Sequence, residues 1–136
     1  MNKFNLALVI SILKQSKFQK LSFCFIPYSI FIFKFLKVLK KNGFINGFNL
    51  NLKFFGGKCF FKTFIVYLKK TDNSINFNYS LISTRGKKVY LSSFFLQKLI
   101  KQNPSHSFFI SSTKGVLSSA DLSKNKIGGE LLFKIV

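Results

Sequence analysis

Near the start of the chain, apolar residues recur at intervals of three and four and then form an unbroken run. The helical interval predicts a first helix over 4–14, with four apolar side chains on its inner face: Leu6, Val9, Ile10 and Leu13. Three lysines follow on the polar side and beyond the predicted end: Lys14, Lys17 and Lys20. The short Phe- and Ile-rich run 21–26 stops at Pro27, which favours a strand.

A second helix is predicted from a capping residue, Ser29, to Asn42. Gly43 stands where a left-handed glycine usually ends a helix. One face of this helix would carry Phe31, Phe35, Val38 and Leu39. Further apolar residues lie all around it: Ile30, Ile32, Phe33 and Leu36. This pattern indicates either burial on two sides or a neighbouring protein.

Period-two alternation then predicts a β-hairpin. The strand 44–55 would place four apolar residues on one face: Phe48, Leu50, Leu52 and Phe54. A turn at 56–58 contains two glycines, and 59–68 would be the returning strand. The polar, turn-rich segment 69–76 is predicted to be a loop.

The second half of the chain predicts shorter elements. A basic turn at 84–88 precedes a short strand at 89–91. A helix beginning at Ser92 or Ser93 would run to Ile100 and stop at Asn103-Pro104-Ser105. Its inward residues would be Phe95, Leu96, Leu99 and Ile100.

The apolar run Phe108–Ile110 predicts a strand that leads into a polar loop, Ser111–Gly115. Ser118 and Asp121 have the spacing of a capping box, in which each side chain bonds the other residue's backbone amide. A short helix would run from there to about Lys124, and a last strand would cover 130–136 after two glycines.

These elements predict an α+β fold of two small lobes. The first, 1–75, would have the order α-β-α-β-β, and the second, 76–136, would be mostly β with short helices. A chain of 136 residues suits one domain or two such lobes.

Charge narrows the possible partners. The chain carries 22 Lys and Arg against three acidic residues, a net charge of +19. Such an imbalance calls for a polyanion, and nucleic acid is the leading candidate because lysines displace counterions from phosphates. An anionic membrane surface is second. The 20 Phe, with no Trp, and the many Lys, Asn and Ile are residues with A/T-rich codons, which indicates an organelle genome.

The sequence gives little support for catalysis or metal binding. Three acids leave almost nothing for general acid–base catalysis or magnesium binding. Ser111 and Lys114 match a Ser-x-x-Lys nucleophile motif, but its partner elements are missing. Cys24 and Cys59, with a single His, cannot form a four-ligand zinc site and are read as buried thiols. We therefore predict no catalysis, no cofactor, no metal and no small-molecule substrate.

Membrane and targeting segments are also unsupported. The longest apolar stretch, 21–33, is shorter than the roughly 20 residues that span a bilayer and is broken by Pro27. No small-residue cleavage site or Arg- and Ser-rich transit peptide is present, so we expect a protein made inside its organelle.

The loop Ser111–Gly115 concentrates three hydroxyls, a lysine and a glycine. A plain interpretation is that the hydroxyls bond their own backbone. The other is that a rigidly mounted loop presents them to RNA.

The loop and the segments around it resemble a known family. Residues 110–118, followed by Gly128-Gly129-Glu130-Leu131-Leu132, resemble the C-terminal signature of the small-subunit ribosomal protein S8 family. That signature is a Ser-Thr-Ser-Lys-Gly loop, a hydrophobic pair, a capped short helix and Gly-Gly-Glu before an aliphatic strand. Segments 26–29, 38–40, 43–45 and 83–90 are also similar to the family.

The resemblance implies a structural protein that binds the central domain of small-subunit ribosomal RNA early in assembly. Carried over, the contact residues are Ser111, Ser112, Thr113 and Lys114, with Gly115, Gly129 and Glu130 shaping the site. Further candidates for RNA contact are Ser29, Lys37, Arg85, Lys87 and Lys88. Neighbouring ribosomal proteins would cover excess apolar surface on the second helix.

Two hypotheses follow. The first is a ribosomal protein of an organellar small subunit, mitochondrial by preference and plastid as second choice. The second is a basic, Phe-rich protein that lies on an anionic membrane. Membrane binding would require neither Ser111–Gly115 nor Gly129-Glu130.

Overall fold

The computed structural model describes residues 4–69, 78–84 and 86–136. Within it the chain divides into two compact units, Met1–Asp72 and Asn73–Val136. The predicted loop 69–76 lies outside the described residues except for Lys69, and Arg85 lies outside them as well.

The N-terminal unit has the predicted order α-β-α-β-β. Its elements are α1 (Phe4–Phe18), β1 (Phe23–Pro27), α2 (Ile30–Lys41), β2 (Ile45–Phe55) and β3 (Lys58–Leu68). The first helix is longer than predicted, so Lys17 lies inside it rather than beyond it. Its buried face continues past Leu13 to Ser16, which explains the extra turn. The chain leaves the helix at Lys20, which has a positive φ.

The three strands form an antiparallel sheet in the order β1-β3-β2. α1 contacts β1, and α2 contacts β2. Alternate strand residues are buried, for example Cys24 and Ile26 of β1 opposite Val66 and Phe64 of β3. Their neighbours along the strands point to the other face of the sheet, where Phe23, Phe25 and Tyr67 are exposed.

The ends of α2 differ in how closely they follow the prediction. At the C-terminal end, Gly43 has φ +77°, and its amide donates to Lys40 while that of Phe44 donates to Leu39. This pair of bonds is the Schellman ending expected of a glycine there. At the other end Ser29 occupies the N-cap position, but its side chain makes no capping hydrogen bond, so that part of the prediction is wrong.

The apolar surface of α2 is only partly covered. The fully buried residues are Ile32, Phe35, Leu36 and Leu39, which form one continuous helix face. Phe31 and Val38 are half-buried, and Ile30 is exposed. Among the described residues, burial of α2 on two sides is therefore incomplete.

The predicted β-hairpin is confirmed. Phe55 pairs with Lys58 across a turn of two glycines, and both glycines have positive φ, as a two-residue hairpin turn requires. Lys58 belongs to the strand rather than to the turn. The predicted apolar face of β2 runs from half-buried Phe48 to strongly exposed Phe54, because burial falls off toward the hairpin tip.

The C-terminal unit is mostly β with two short helices, as predicted. Its elements are β4 (Tyr79–Leu81), β5 (Tyr90–Leu91), α3 (Ser93–Gln102), β6 (Ser107–Ser112), β7 (Gly115–Ser118), α4 (Ser119–Asn125) and β8 (Gly129–Ile135). The antiparallel sheet has the order β4-β8-β6-β7, and β5 also pairs with β8. β8, the last strand of the chain, is therefore the centre of the sheet.

One hydrophobic core lies between this sheet and the two helices. Leu96 of α3 and Leu122 of α4 pack with Phe108, Ile110 and Leu131 from the strands. The prediction that Phe95 points inward is wrong: its side chain is 59% exposed, whereas that of Leu96 is 1% exposed. Phe95 lies about 100° around the helix from Leu96, and the face set by Leu96, Leu99 and Ile100 leaves it outside.

β8 contains an irregularity that buries consecutive residues. Phe109 pairs with Phe133, but Ile110 pairs with Leu131, so Leu132 is the extra residue of a bulge. The rings of Phe109 and Phe133 stack with centroids 4.4 Å apart and planes at 6°. Leu131, Leu132 and Phe133 are consequently all buried, although strict alternation would expose one of them.

Among the described residues, none of the helices has the length and apolar character needed to cross a membrane.

Candidate nucleic-acid interface

The predicted loop Ser111–Gly115 is the tip of the β6–β7 hairpin. Ser111 pairs with Val116 and Ser112 with Gly115, which leaves only Thr113 and Lys114 in the turn. The five-residue loop of the prediction is therefore wrong: the strands extend further than the apolar run suggested. Gly115 has φ +101°, the conformation that lets a glycine follow a tight turn and re-enter the strand.

The hydroxyls of the turn divide into two groups. Ser112 stabilises the turn, since its Oγ donates to the Gly115 carbonyl over 3.0 Å and accepts from the Lys114 amide over 3.3 Å. The plain interpretation therefore holds for Ser112. Thr113 and Lys114 are exposed, and Ser111 is half-buried. Within the described part of the chain, the hydroxyls of Ser111 and Thr113 make no hydrogen bond, so both can bond a ligand.

The two glycines before β8 allow close backbone packing beneath this turn. A Cβ on Gly129 would run into the carbonyl oxygen of Ser111 and lie 3.0 Å from Cγ2 of Ile110. A Cβ on Gly128 would lie 2.7 Å from the Leu91 carbonyl oxygen and 3.0 Å from the Ser93 amide. Gly129 therefore positions the backbone of Ser111, and Gly128 lets the chain pass the start of α3.

Ser111 lies in a row of residues that crosses three strands. Glu130 pairs with Ser111 on one side and with Tyr90 on the other. Directly opposed residues of antiparallel strands project from the same face, so these three side chains share one face of the sheet. Glu130 is only 6% exposed, while Tyr90 is 65% exposed. The row thus places the exposed ring of Tyr90 and the hydroxyl of Ser111 on either side of the buried Glu130.

Tyr90 is a candidate contact residue that the sequence analysis did not select. It appeared there only as part of a short strand. Its position becomes informative once the pairing of β5 with β8 is known, and a sequence gives little indication of pairing between distant strands. A solvent-facing aromatic ring can stack on an unpaired base.

The basic turn is anchored by a buried serine. Ser83 donates a hydrogen bond from its Oγ to the Leu131 carbonyl and accepts one from the Val89 amide over 3.1 Å. The Thr84 amide donates to the Lys87 carbonyl over 2.9 Å, which closes the turn. Lys87 and Lys88 are exposed. Ser83 therefore joins both ends of the turn to β8, next to Glu130.

The predicted capping box takes a different form. Ser118 is at the N-cap of α4, but its side chain makes no capping hydrogen bond to the backbone. Its Oγ instead donates to a carboxylate oxygen of Asp121 over 3.1 Å. Ser118 is nearly fully buried, and burial favours pairing its hydroxyl with a strong acceptor. α4 ends at Lys126, which has a left-handed backbone.

The two remaining candidates, Ser29 and Lys37, belong to the N-terminal unit. Ser29 is half-buried at the N-cap of α2, and Lys37 is exposed two turns further on. The Lys37 Nζ lies 4.6 Å from the centre of the Phe33 ring. The candidate residues therefore form a connected group in the C-terminal unit and a second group on α2.

No group of three or more His, Cys, Asp or Glu side chains that could hold a metal is found in 4–69, 78–84 and 86–136. Cys24 is buried, and the loss of solvation raises the pKa of its thiol, while a hydrogen bond with Ser16 acts in the opposite direction. The side chain of Cys59 lies outside the described part of the structure. Partial burial lowers the pKa of Lys17.

Residues 5–136 match the ribosomal protein S8 family. The chain belongs to this family. It is 32% identical to small ribosomal subunit protein uS8c of Bigelowiella natans over 96% of this chain and 97% of that protein. It is 34% identical to uS8m of Acanthamoeba castellanii, over 74% of this chain and 73% of that protein. With uS8 of Borrelia turicatae the identity is 37%, over 74% and 72% of the two chains.

Membership confirms the family resemblance that the sequence predicted. Ribosomal protein S8 is a structural component of the small ribosomal subunit and not an enzyme. The α+β arrangement of helices and antiparallel sheets agrees with it.

Proposed function

We propose that this chain binds the central domain of small-subunit ribosomal RNA directly and supports its assembly. In this proposal the lobe 76–136 makes the selective contact and the lysines of both lobes supply general attraction. The observation that carries it is the placement of Ser111: among the described residues its hydroxyl has no hydrogen-bond partner, while Gly129 packs against its backbone and Glu130 pairs with it across the strands.

The selective contact would come from small polar groups on a rigid support. Irregular RNA exposes base edges and 2′-hydroxyls, which serine and threonine hydroxyls can both donate to and accept from. Ser111 sits on a strand and Thr113 at the tip of the turn, so both are held by the same hairpin. Tyr90, in the same row, offers a ring face to an unpaired base.

The electrostatic contact would be less selective. Lys114 is in the turn, and Lys87 and Lys88 are exposed on a turn that Ser83 fixes to β8. Arg85 precedes Lys87 by two residues in the sequence and is assigned to the same contact. Each lysine that neutralises a phosphate makes binding more salt-dependent. Such contacts position the RNA, and the hydroxyls of Ser111 and Thr113 select the site.

We assign the protein to an organellar ribosome, mitochondrial by preference and plastid as the alternative. The abundance of residues with A/T-rich codons supports an organelle genome. The relatives named uS8m and uS8c support an organelle without deciding which one. Neighbouring ribosomal proteins would cover exposed apolar residues such as Ile30.

The proposal is tested by sedimentation of an organelle lysate through a sucrose gradient, followed by binding of the purified protein to a central-domain rRNA fragment. We expect the protein to sediment with the small subunit and to bind the fragment in preference to an unrelated RNA of equal length. Flotation with anionic vesicles in place of small-subunit association would favour the membrane hypothesis and contradict the proposal.

A further inference from the structure

Three aromatic rings of the N-terminal unit pack on the ring of Phe64, which is 2% exposed. Tyr28 and Phe33 both lie against it, with ring centroids 5.3 Å and 6.1 Å away. Phe48 meets Phe33 and Phe64 edge-on, with centroids 5.8 Å and 5.6 Å away. Tyr28 and Phe33 remain 42% and 37% exposed, so Phe64 is the buried base and these two rings form the outer surface.

A lysine lies over each of the two outer rings. The Nζ of Lys37 is 4.6 Å from the centroid of Phe33, and that of Lys62 is 5.6 Å from the centroid of Tyr28. Both distances lie within the range in which an aromatic face attracts an ammonium group. The two lysines come from different elements, α2 and β3, and meet the same aromatic cluster.

The backbone places each lysine on its ring. Phe33 and Lys37 are four residues apart on α2 and so are neighbours on one helix face. The Tyr28 amide donates to the Lys62 carbonyl over 3.1 Å, which fixes those two residues side by side. Lys62 lies two residues before Phe64 on β3 and therefore projects from the same sheet face.

Among the described residues of their lobe, these two ammonium groups have no carboxylate to pair with. The chain contains no Asp or Glu before Asp72, which itself lies outside the described residues. Both lysines are exposed. A free lysine loses much rotational freedom when it binds an anion, whereas a lysine already held over a ring has lost part of that freedom beforehand.

We propose that Lys37 and Lys62 form a second phosphate-contact site, which binds the backbone of the same ribosomal RNA, and that Phe33 and Tyr28 are its positioning residues. This inference rests on the proposed function, because that function supplies the RNA. Charge complementarity selects the occupant: two held cations in a lobe without described carboxylates fit closely spaced phosphates.

The test is a double-mutant cycle on the full-length protein, with a central-domain rRNA fragment and binding measured at several salt concentrations. Lys37→Met should weaken binding about threefold to tenfold and lower the salt slope by about 1. Phe33→Leu keeps the apolar bulk but removes the ring face, and it should weaken binding less. The double variant should bind no more weakly than Lys37→Met alone, because Phe33 acts through Lys37.

Lys34 is the matched control, since it is exposed on the same helix and no aromatic contact engages it among the described residues. The changes in binding free energy caused by Lys34→Met and Phe33→Leu should be additive in the double variant. Phe33→Tyr retains a ring face and should restore binding close to that of the natural protein. The effects of Lys62→Met and Tyr28→Leu on RNA binding should follow the same pattern as those of Lys37→Met and Phe33→Leu.

Unchanged affinity and salt slope in the Lys37→Met/Lys62→Met variant would overturn the inference. If that variant still bound RNA normally but lost binding to a polyglutamate peptide, the cluster would be a protein contact and the inference would be wrong. Failure of the natural protein to bind the fragment at all would instead contradict the proposed function. Circular dichroism of each variant separates a loss of fold from a loss of contact.

Discussion

The backbone of Gly129 lies directly against the carbonyl of Ser111, so closely that no side chain fits at position 129. The next residue, Glu130, pairs with Ser111 across the strands. The start of β8 therefore fixes the position of the Ser111 backbone, from which its hydroxyl projects. A glycine outside the turn is as necessary to the candidate site as the residues in it.

Gly129→Ala should lower the free energy of unfolding by about 1–3 kcal/mol, because the added methyl must displace the Ser111 backbone or the Ile110 side chain. The same displacement should weaken binding to the rRNA fragment. Gly47→Ala is the control, since a Cβ there meets open space, and it should change stability by no more than about 0.5 kcal/mol. Equal urea-unfolding midpoints for the two variants would show that the close packing has no energetic importance.

Ser83→Ala should loosen the basic turn. It removes the acceptor for the Val89 amide and the donor to the Leu131 carbonyl, at a cost of about 1–3 kcal/mol for buried groups left unpaired. Amide hydrogen exchange measures this locally, and the Val89 amide should exchange faster than in the natural protein. Ser80→Ala, on β4, serves as the control and should leave that amide protected. Protection of Val89 that is unchanged in Ser83→Ala would contradict the anchoring role.

Lys87→Ala/Lys88→Ala should reduce the general attraction for RNA and leave site selection intact. The slope of log affinity against log salt should fall by about 1.5, since two phosphate contacts are lost. The ratio of affinities for the cognate fragment and an unrelated RNA should stay the same. Lys98→Ala/Lys101→Ala, on α3, removes equal charge elsewhere in the same lobe. If both double variants lowered the salt slope equally, the attraction would be diffuse, and the basic turn would make no specific phosphate contact.

The buried Cys24 thiol should make stability depend on pH above neutrality. Burial raises its pKa in the folded protein, so the unfolded chain loses this proton first as the pH rises. The contribution of the neutral thiol is complete below the unfolded pKa of about 8.5 and is lost as the pH rises through the folded pKa. In a Cys59→Ser background, the stability difference between the protein with Cys24 and its Cys24→Ala variant should therefore shrink from pH 8 upward in urea unfolding. A stability difference that stays constant as the pH rises would show that the pKa of Cys24 is the same in the folded and the unfolded protein.

Local sequence patterns predicted those elements of the fold that are determined by one residue or by residues a few positions apart. Gly43 predicted the end of α2, and the pair Gly56-Gly57 predicted the hairpin turn, because each conformation needs a glycine at that position. The extension of α1 to Phe18 was missed because neither proline nor glycine marks its end, and only tertiary burial of Ser16 continues the inner face. The exposure of Phe95 was missed because three consecutive apolar residues leave the helix phase ambiguous.

The sequence selected the residues of the candidate site but did not predict its shape. Hydroxyls, lysine and glycine identify Ser111–Gly115, yet the pairing of Ser112 with Gly115 reduces that segment to a two-residue turn. The row formed by Tyr90, Glu130 and Ser111 depends on pairing between strands far apart in sequence. The bulge at Leu132 depends on the same long-range register.

The central claim is that the hydroxyls of Ser111 and Thr113 select the RNA site, and the direct test is the affinity of Ser111→Ala/Thr113→Ala for a central-domain rRNA fragment. We expect a loss of about 10- to 100-fold with an unchanged salt slope, because hydrogen bonds are removed but no charge is. Ser105→Ala/Ser107→Ala removes two hydroxyls at the other end of β6 and should bind like the natural protein. An affinity of Ser111→Ala/Thr113→Ala equal to that of the natural protein would contradict the account.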